Sequence, residues 1–85
     1  MLQPKLISIQ AIAAYRLRLV YETGEVKIFD VKPYIKGAWY EELSDEAYFS
    51  AVRILPDGSG VVWPNGQDLA PHELYENSAY ASPDV

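Results

Sequence analysis

Hydrophobic and polar residues alternate through the first third of the chain in the manner of β-strands. Isoleucines alternate with polar residues within residues 5–13, and Tyr and Leu alternate with Arg and Val over residues 15–21. The alternation resumes at residues 25–29, after a short polar loop with the sequence ETGE. Because successive side chains of a strand point to opposite faces, these segments predict an antiparallel three-stranded meander.

The register of the second hairpin depends on whether its loop has an even or an odd number of residues. An even loop pairs Leu19 with Ile28 and Tyr21 with Val26, so that the apolar side chains of both strands share one face. An odd loop would instead set Leu19 against Lys27. Because burial of one face specifies register strongly, we predict the even loop.

Short helices are predicted in the middle of the chain. Asp30 is placed to cap a helical turn that has a proline in its first turn, and Gly37 is placed to end that turn. Ser44 or Asp45 can start a second short helix, with residues 47–49 as its body. The large apolar side chains of this region are its expected buried anchors: Trp39, Leu43 and Phe49.

Two hairpins and a closing helix are predicted in the last third of the chain. Residues 52–55 and 61–63 flank a turn built on PDGSG. Asn65-Gly66 is a strong signal for a two-residue hairpin loop, because both positions tolerate positive φ, and it would fold residues 67–69 back on the preceding strand. A proline then opens a helix of about two turns in PHELYENS.

Together these elements indicate an α+β fold. It consists of a small, mostly antiparallel sheet, made of the N-terminal three-strand meander and the C-terminal hairpins, with two or three short helices packed on it. We expect residues 1–80 to form a single domain and residues 81–85 to be a frayed tail. Neither GxGxxG nor GxxxxGK[ST], the two phosphate-binding loops, occurs in the chain, and no cofactor is expected.

Composition and charge narrow the classes of function. The chain has no cysteine, so disulfides, thiolate metal sites and cysteine nucleophiles are excluded. Its net charge of −5 argues against nucleic-acid or anionic-membrane binding, although the predicted register gathers Arg16, Arg18 and Lys27 on a solvated outer sheet face. No apolar run reaches the roughly 20 residues of a membrane span, and we expect a cytoplasmic protein.

Few side chains could carry catalysis. His72 is the only histidine, and its neighbour Glu73 does not face it on a helix, so we interpret His72 as an exposed first-turn residue. One histidine and scattered carboxylates do not predict a metal site. Asp30 and Asp68 could form an acid–base pair if folding brought them within about 5–10 Å. The favoured interpretation is that each satisfies backbone N–H groups at a turn or helix start.

Trp63 is the strongest candidate for a binding residue. The predicted two-residue turn places Trp63 and Asp68 on one face of the hairpin, and Val62 and Leu69 on the other. Trp63 is then either a core anchor whose indole N–H finds an acceptor such as Asp68, or a partly exposed aromatic of the kind enriched at binding hot spots. The same two interpretations apply to Trp39.

Carboxylates are concentrated in the middle of the chain and in the closing helix. The acidic residues concerned are Glu41, Glu42, Asp45, Glu46, Glu73 and Glu76. Such a cluster is either a solvated face or a docking patch for a basic partner, where charge complementarity raises association rate and specificity.

Two long segments, YRLRLVYETGEVKIFDVKPYI and VVWPNGQDLAPHELY, resemble a bacterial family of small proteins known as domain of unknown function 2442. The resemblance covers about residues 6–76, and its most specific parts are Gly24-Glu25, Asp30 and residues 63–75. It implies a compact α+β domain without an established activity. Some relatives resemble the acidic member of toxin–antitoxin gene pairs, and others are fused to helix-turn-helix domains that this sequence lacks.

Two hypotheses of different classes follow. The first is a non-enzymatic protein-interaction domain, antitoxin-like, whose partner is another protein, basic and encoded by a neighbouring gene; exposed sheet edges also permit a homodimer. The second is a small-ligand binder or enzyme that uses carboxylates around a cleft, and a DNA-associated regulator ranks below both. The candidate interaction or structural residues are Trp63, Asn65, Gly66, Asp68, Asp30, Trp39, Glu41 and Glu42.

Overall fold

Antiparallel β-strands in two sheets form the framework of the protein, and a computed structural model describes residues 3–80 of it. Within these residues the strands are β1 (Leu6–Ile12), β2 (Arg16–Tyr21), β3 (Val26–Asp30), β4 (Arg53–Ile54), β5 (Val61–Val62), β6 (Asp68–Leu69) and β7 (Ala79–Tyr80). One sheet has the order β1-β2-β3-β7, and the other has the order β4-β5-β6. The predicted α+β fold with an N-terminal meander is therefore confirmed. The predicted fraying of residues 81–85 lies outside the described residues.

Short helices connect the two sheets. They are a 3-10 turn (Lys32–Tyr34), α1 (Gly37–Glu41), a second 3-10 turn (Glu42–Ser44), α2 (Glu46–Phe49) and α3 (Pro71–Glu76). Of the two residues proposed to start α2, Asp45 is the cap, because its side chain accepts a hydrogen bond from Ala47 N at 3.0 Å. Gly37 begins α1 at φ 73° and does not end the preceding turn, which corrects the prediction. Within residues 3–80 no helix has the length and apolarity to cross a membrane.

The β2–β3 hairpin has a three-residue loop, so the predicted even loop is wrong. Tyr21 N donates to Glu25 O and Gly24 N donates to Tyr21 O, both at 2.9 Å. Gly24 has a φ of 93°, the left-handed conformation that ends a three-residue hairpin loop with a bulge. The consequence is that Leu19 lies opposite Lys27 and not opposite Ile28.

This register turns Lys27 inward. Leu17, Leu19 and Phe29 occupy the buried face of the sheet, and Lys27, only 5% exposed, lies among them. Arg18 pairs with Ile28 on the opposite face. The predicted basic strip on the outer face therefore loses Lys27 but keeps its two arginines.

The β5–β6 hairpin repeats the same geometry, and the predicted two-residue turn is wrong in the same way. Trp63 N donates to Gln67 O at 2.8 Å, and Gly66 N donates to Trp63 O at 2.9 Å. Gly66 takes the left-handed position at φ 101°. Trp63 therefore shares a face with Gln67, while Asp68 lies opposite Val62 on the other face.

A single core joins both sheets to the helices. Its buried apolar side chains are Leu6, Leu17, Leu19, Tyr21, Phe29, Val31, Leu43, Phe49, Val61, Trp63, Leu69 and Leu74. The Phe49 ring lies 5.5 Å from the Tyr15 ring and 5.8 Å from the Trp63 ring, which ties α2 to both sheets. Leu43 and Phe49 are buried as predicted.

Candidate functional site

Trp63 belongs to the core. Its side chain is 0% exposed, and its indole Nε1 donates to the carbonyl of Phe49 at 2.9 Å. The acceptor is thus a backbone oxygen at the end of α2 and not Asp68. Of the two interpretations of Trp63, the structure supports the core anchor, because a fully buried ring has no surface to offer a partner.

Gln67 is the polar side chain that organises this hairpin, and no pattern in the sequence singles it out. It is 0% exposed, and its Nε2 donates to the carbonyl of Trp39 and to Glu42 Oε1, each at 2.9 Å. Its Oε1 accepts from the Tyr48 hydroxyl at 2.6 Å. Because a buried amide is costly unless it is hydrogen-bonded, these three bonds fix the loop against α1 and α2.

The Glu42 carboxylate, on the helical segment, is bound by the same loop. Asn65 Nδ2 lies 2.8 Å and 2.7 Å from the two carboxylate oxygens, and Gln67 Nε2 adds a further bond. Hydrogen bonds from Asn65, and then from Gln67, lower the pKa of the Glu42 carboxyl below its usual value. The carboxylate therefore stays charged, and the WPNGQD loop and the helical segment are joined through it.

Trp39 is exposed, and its predicted burial is wrong. Its side chain is 54% exposed, although it stands on α1 next to the buried hairpin. The ring lies over the turn: a Cβ placed on Gly66 would meet ring atoms of Trp39 at 3.8 and 3.9 Å. The tryptophan therefore covers a glycine turn with one part of its ring and presents the rest to solvent.

Four carboxylates accompany Trp39 on the helical segment. We call Trp39, Glu41, Glu42, Asp45 and Glu46 together the acidic–aromatic surface. Each of these five residues is exposed. Within residues 3–80, none of the four carboxylates lies within ion-pair distance of a lysine or arginine, since the single ion pair there joins the neighbours His72 and Glu73.

The remaining candidates have structural positions. Asp30 Oδ1 accepts from Lys32 N at 3.0 Å, as expected for a residue that satisfies the backbone of a turn. Asp68 is exposed on β6, and its backbone oxygen accepts from the Tyr40 hydroxyl at 3.2 Å. Its side chain caps no backbone N–H of residues 3–80, which corrects the favoured interpretation of Asp68. No hydrogen bond links the two aspartates in the described part of the chain. His72 is exposed in the first turn of α3, as predicted. The prediction that Glu73 does not face it is wrong, because Glu73 Oε1 lies 3.7 Å from His72 Nε2.

Among the hollows on the surface of residues 3–80 are two that are not lined by Asp30, Asn65 or Asp68. One, of about 160 Å³, lies between the β1–β2 turn and α2. The other, of about 270 Å³, lies between the residues before β1 and the β4–β5 turn. No group of three residues that could hold a metal ion occurs within residues 3–80. Neither of these hollows therefore brings Asp30, Asn65 and Asp68 together.

A second polar cluster lies where β3 meets the last described strand. Glu25 accepts hydrogen bonds from the hydroxyls of Tyr75 and Tyr80, and Lys27 Nζ donates to the carbonyl of Tyr75 at 2.5 Å. The Tyr80 hydrogen bond is the largest cause that lowers the pKa of Glu25. Beside it, the Tyr21 hydroxyl is buried without a hydrogen-bond partner, and burial, then the proximity of Tyr75, raises the pKa of Tyr21 to about 12. This cluster depended on the inward register of Lys27, which the sequence did not reveal.

The comparisons with known proteins concern almost the whole of this framework. A family model described as "Protein of unknown function (DUF2442)" matches residues 6–80, which contain both hairpins, the acidic–aromatic surface and the Glu25–Lys27 cluster. Neither the curated proteins nor the solved structures that were searched gave a match. The family match agrees with the resemblance seen in the two sequence segments. The chain therefore belongs to the DUF2442 family of proteins of unknown function.

Proposed function

We propose that this protein is a non-enzymatic interaction domain that binds a basic segment of another protein through the acidic–aromatic surface. The observation that carries the proposal is Trp39: a tryptophan 54% exposed on a segment with four carboxylates. Tryptophan and arginine are the residue types that dominate binding energy at interfaces. An exposed indole on a segment rich in carboxylates suits a lysine or arginine side chain, which can stack on the ring and pair with the acids.

The surface is held in place before a partner arrives. The Trp39 ring rests on Gly66, its carbonyl accepts from buried Gln67, and Glu42 is bound by Asn65. A binding group that is already ordered loses less conformational entropy on association. The WPNGQD loop therefore supports the acidic–aromatic surface through Asn65, Gly66 and Gln67.

The charge of the surface is not neutralised within the described part of the chain. Glu41, Asp45 and Glu46 are exposed and lie outside ion-pair distance of any described lysine or arginine. The whole chain carries a net charge of −5. Such a field attracts a basic partner and raises the rate of encounter, an effect that salt screens over a Debye length of about 8 Å at physiological ionic strength.

The biological role that we propose rests on the family resemblance, since some relatives resemble the acidic member of toxin–antitoxin gene pairs. We propose that the protein is the antitoxin-like member of a bacterial, cytoplasmic pair and that its partner is the basic product of a neighbouring gene. Its mechanism would be occlusion, in which the acidic–aromatic surface covers the basic functional face of that partner.

Co-purification with the neighbouring gene product tests the proposal. The full chain is expressed with that product, and the complex is compared for wild type, Trp39→Ala and Ile7→Ala. Ile7 is a matched control because it is 63% exposed and lies on β1, outside the surface. We expect Trp39→Ala to lose the complex and Ile7→Ala to keep it. Recovery of the wild-type chain alone, or equal complexes for both variants, would contradict the proposal.

The charge component is tested separately. Glu41→Lys should slow association and reduce its salt dependence, whereas Glu76→Lys, which makes the same change in net charge at an exposed position on α3, should change both little. Stopped-flow association at several salt concentrations measures this difference. Equal rates for the two variants would show that the net charge alone, and not the surface, attracts the partner.

A further inference from the structure

The hollow between the β1–β2 turn and α2 lies beside the acidic–aromatic surface and is open to solvent. Its volume is about 160 Å³. Residues 11–15 line it on the side of the turn, and Glu46, Phe49 and Ser50 line it on the side of α2. We call it the turn–helix hollow. Because Glu46 is also part of the acidic–aromatic surface, the hollow and that surface share one carboxylate.

The backbone of the β1–β2 turn is strained where it lines the hollow. Residues 13–15 form a three-residue loop, as do residues 22–24 and 64–66, but its third position holds Tyr15 where the other two loops have glycine. Tyr15 has a φ of 57°, and Ala14 before it has a φ of 65°. Left-handed backbone is unfavourable for residues other than glycine, and it persists where neighbouring groups hold it, often at binding sites.

Contacts with other segments hold Tyr15 in this conformation. The Tyr15 hydroxyl donates to the carbonyl of Ser44, and its ring meets the ring of Phe49 edge-on with 5.5 Å between the ring centres. Val31 N donates to the Tyr15 carbonyl at 2.9 Å. Glycine would relieve the strain but would remove the ring that forms one wall of the hollow. The turn is therefore fixed against α2, and the hollow is formed before a ligand binds.

The lining of the hollow is largely apolar. Its apolar side chains come from residues 11–15 and Phe49, and its polar ones are Ser50 and Glu46. Glu46 is exposed, and no lysine or arginine of residues 3–80 lies within ion-pair distance of it. Arg16 of the neighbouring strand is not part of the lining, and its Nε donates to a carbonyl of the turn at 3.0 Å. Such a lining suits a side chain that is aliphatic along its length and cationic at its tip.

We propose that the turn–helix hollow receives a lysine side chain from the basic segment of the partner, an assignment that rests on the proposed function. The apolar walls pack a flexible four-carbon stem, and the Glu46 carboxylate pairs with the compact ammonium group. Arginine fits less well, because its planar guanidinium gains most from an open aromatic face. In the acidic–aromatic surface that face belongs to Trp39, outside the lining of the hollow. The hollow thus adds a specific lysine contact to the surface.

The site itself is tested with Nα-acetyl-lysine N-methylamide, the lysine probe, added to the isotope-labelled full chain and followed by NMR. Saturable shifts should fall on residues 11–15 and 46–50. The norleucine counterpart has the same four-carbon stem without the ammonium group, and it should bind about fivefold more weakly, as should the arginine counterpart. Absence of saturable shifts at these residues, or a norleucine or arginine probe that binds as tightly as lysine, overturns the site.

Matched variants locate the probe within the hollow. Glu46→Gln should weaken binding of the lysine probe about fivefold, whereas Glu76→Gln, the same loss of charge at an exposed position on α3, should leave it unchanged. Ser50→Phe should fill the hollow and abolish binding, whereas Ser50→Ala should keep it. Circular dichroism checks that each variant is folded. Lysine binding that Glu46→Gln leaves unchanged overturns the pairing with this carboxylate.

The source of the lysine is tested with the co-purified partner. Ser50→Phe should weaken the complex about tenfold and Ser50→Ala should keep it, and neither variant alters the charge of the surface. Trp39→Ala should lose the complex but still bind the lysine probe, since Trp39 does not line the hollow. A chain that binds the probe and forms no complex contradicts the proposed function while the lysine site stands. A complex that Ser50→Phe leaves unchanged overturns the partner as the source of the lysine.

Discussion

Substitution of Gln67 by leucine removes the side chain that joins the β5–β6 loop to the helical segment. Leucine has a similar volume but cannot form the bonds to the Trp39 carbonyl, the Glu42 carboxylate and the Tyr48 hydroxyl. Each hydrogen bond contributes about 1 kcal/mol net, and a buried group left without a partner costs about 1–3 kcal/mol. Because water can reach part of the Glu42 and Tyr48 side chains, we expect Gln67→Leu to lower the free energy of unfolding by about 2–4 kcal/mol.

Urea denaturation followed by far-UV circular dichroism measures this loss. Asp68→Ala is the matched control: the neighbouring side chain is exposed, so its removal should change the free energy of unfolding by less than about 0.5 kcal/mol. The double variant Gln67→Leu/Tyr48→Phe should be less destabilised than the sum of the single variants, because both delete the same bond. A loss below about 0.5 kcal/mol for Gln67→Leu would refute the assigned role of this residue.

Three further predictions concern other parts of the fold. Tyr21→Phe should not destabilise the protein at pH 7, because the Tyr21 hydroxyl is buried without a partner. The folded state raises the pKa of Tyr21 from 10.0 to about 12. Ionisation of this hydroxyl therefore leaves the free energy of unfolding unchanged below pH 10 and lowers it as the pH rises towards about 12. Tyr21→Phe should reduce that loss in alkaline unfolding curves. Gly66→Ala, at φ 101°, should lower the free energy of unfolding by about 1–2 kcal/mol, measured by urea denaturation; no loss would mean that the loop can change its conformation. Ala14→Gly should raise the melting temperature, because Ala14 is held at φ 65° in the β1–β2 turn; a lower melting temperature would contradict this account of strain.

The two hairpin registers show where sequence reasoning succeeded and where it failed. Strands β1 to β6, their antiparallel order and the turn positions followed from alternation and from Gly24 and Gly66, whereas β7 was not predicted. Both registers were wrong by one residue for one reason: each glycine occupies the third position of a three-residue loop, where an even loop had been predicted. Because the loops have an odd number of residues, Leu19 pairs with Lys27 and Trp63 pairs with Gln67.

The polar interior was beyond the reach of pattern reasoning. Lys27 looked like a surface residue because lysine is rarely buried, and its partner carbonyl belongs to Tyr75, 48 residues further along the chain. Gln67 depends in the same way on Trp39 and Glu42, which precede it by 28 and 25 residues. Only tertiary structure brings these groups together, so local sequence carried no signal for them.

The two tryptophans illustrate the same limit. Trp63 and Trp39 received identical interpretations from the sequence, yet one is 0% exposed and the other is 54% exposed. The difference arises because the β5–β6 hairpin directs Trp63 towards Phe49, whereas α1 places the Trp39 ring against Gly66, which has no side chain to cover it. The exposure of Trp39 therefore follows from the tertiary structure, and the sequence alone could not distinguish the two tryptophans.

Exposure of Trp39 with and without its partner tests the central claim most directly. In the full chain, acrylamide should quench the fluorescence of Trp39 readily and that of Trp63 poorly, since only Trp39 is open to solvent. Addition of the co-purified partner should protect the quenchable fraction, and Trp39→Ala should weaken binding by about thirtyfold, as expected for a hot-spot residue. A partner that binds while Trp39 stays fully quenchable, and with equal affinity for Trp39→Ala, would contradict the account.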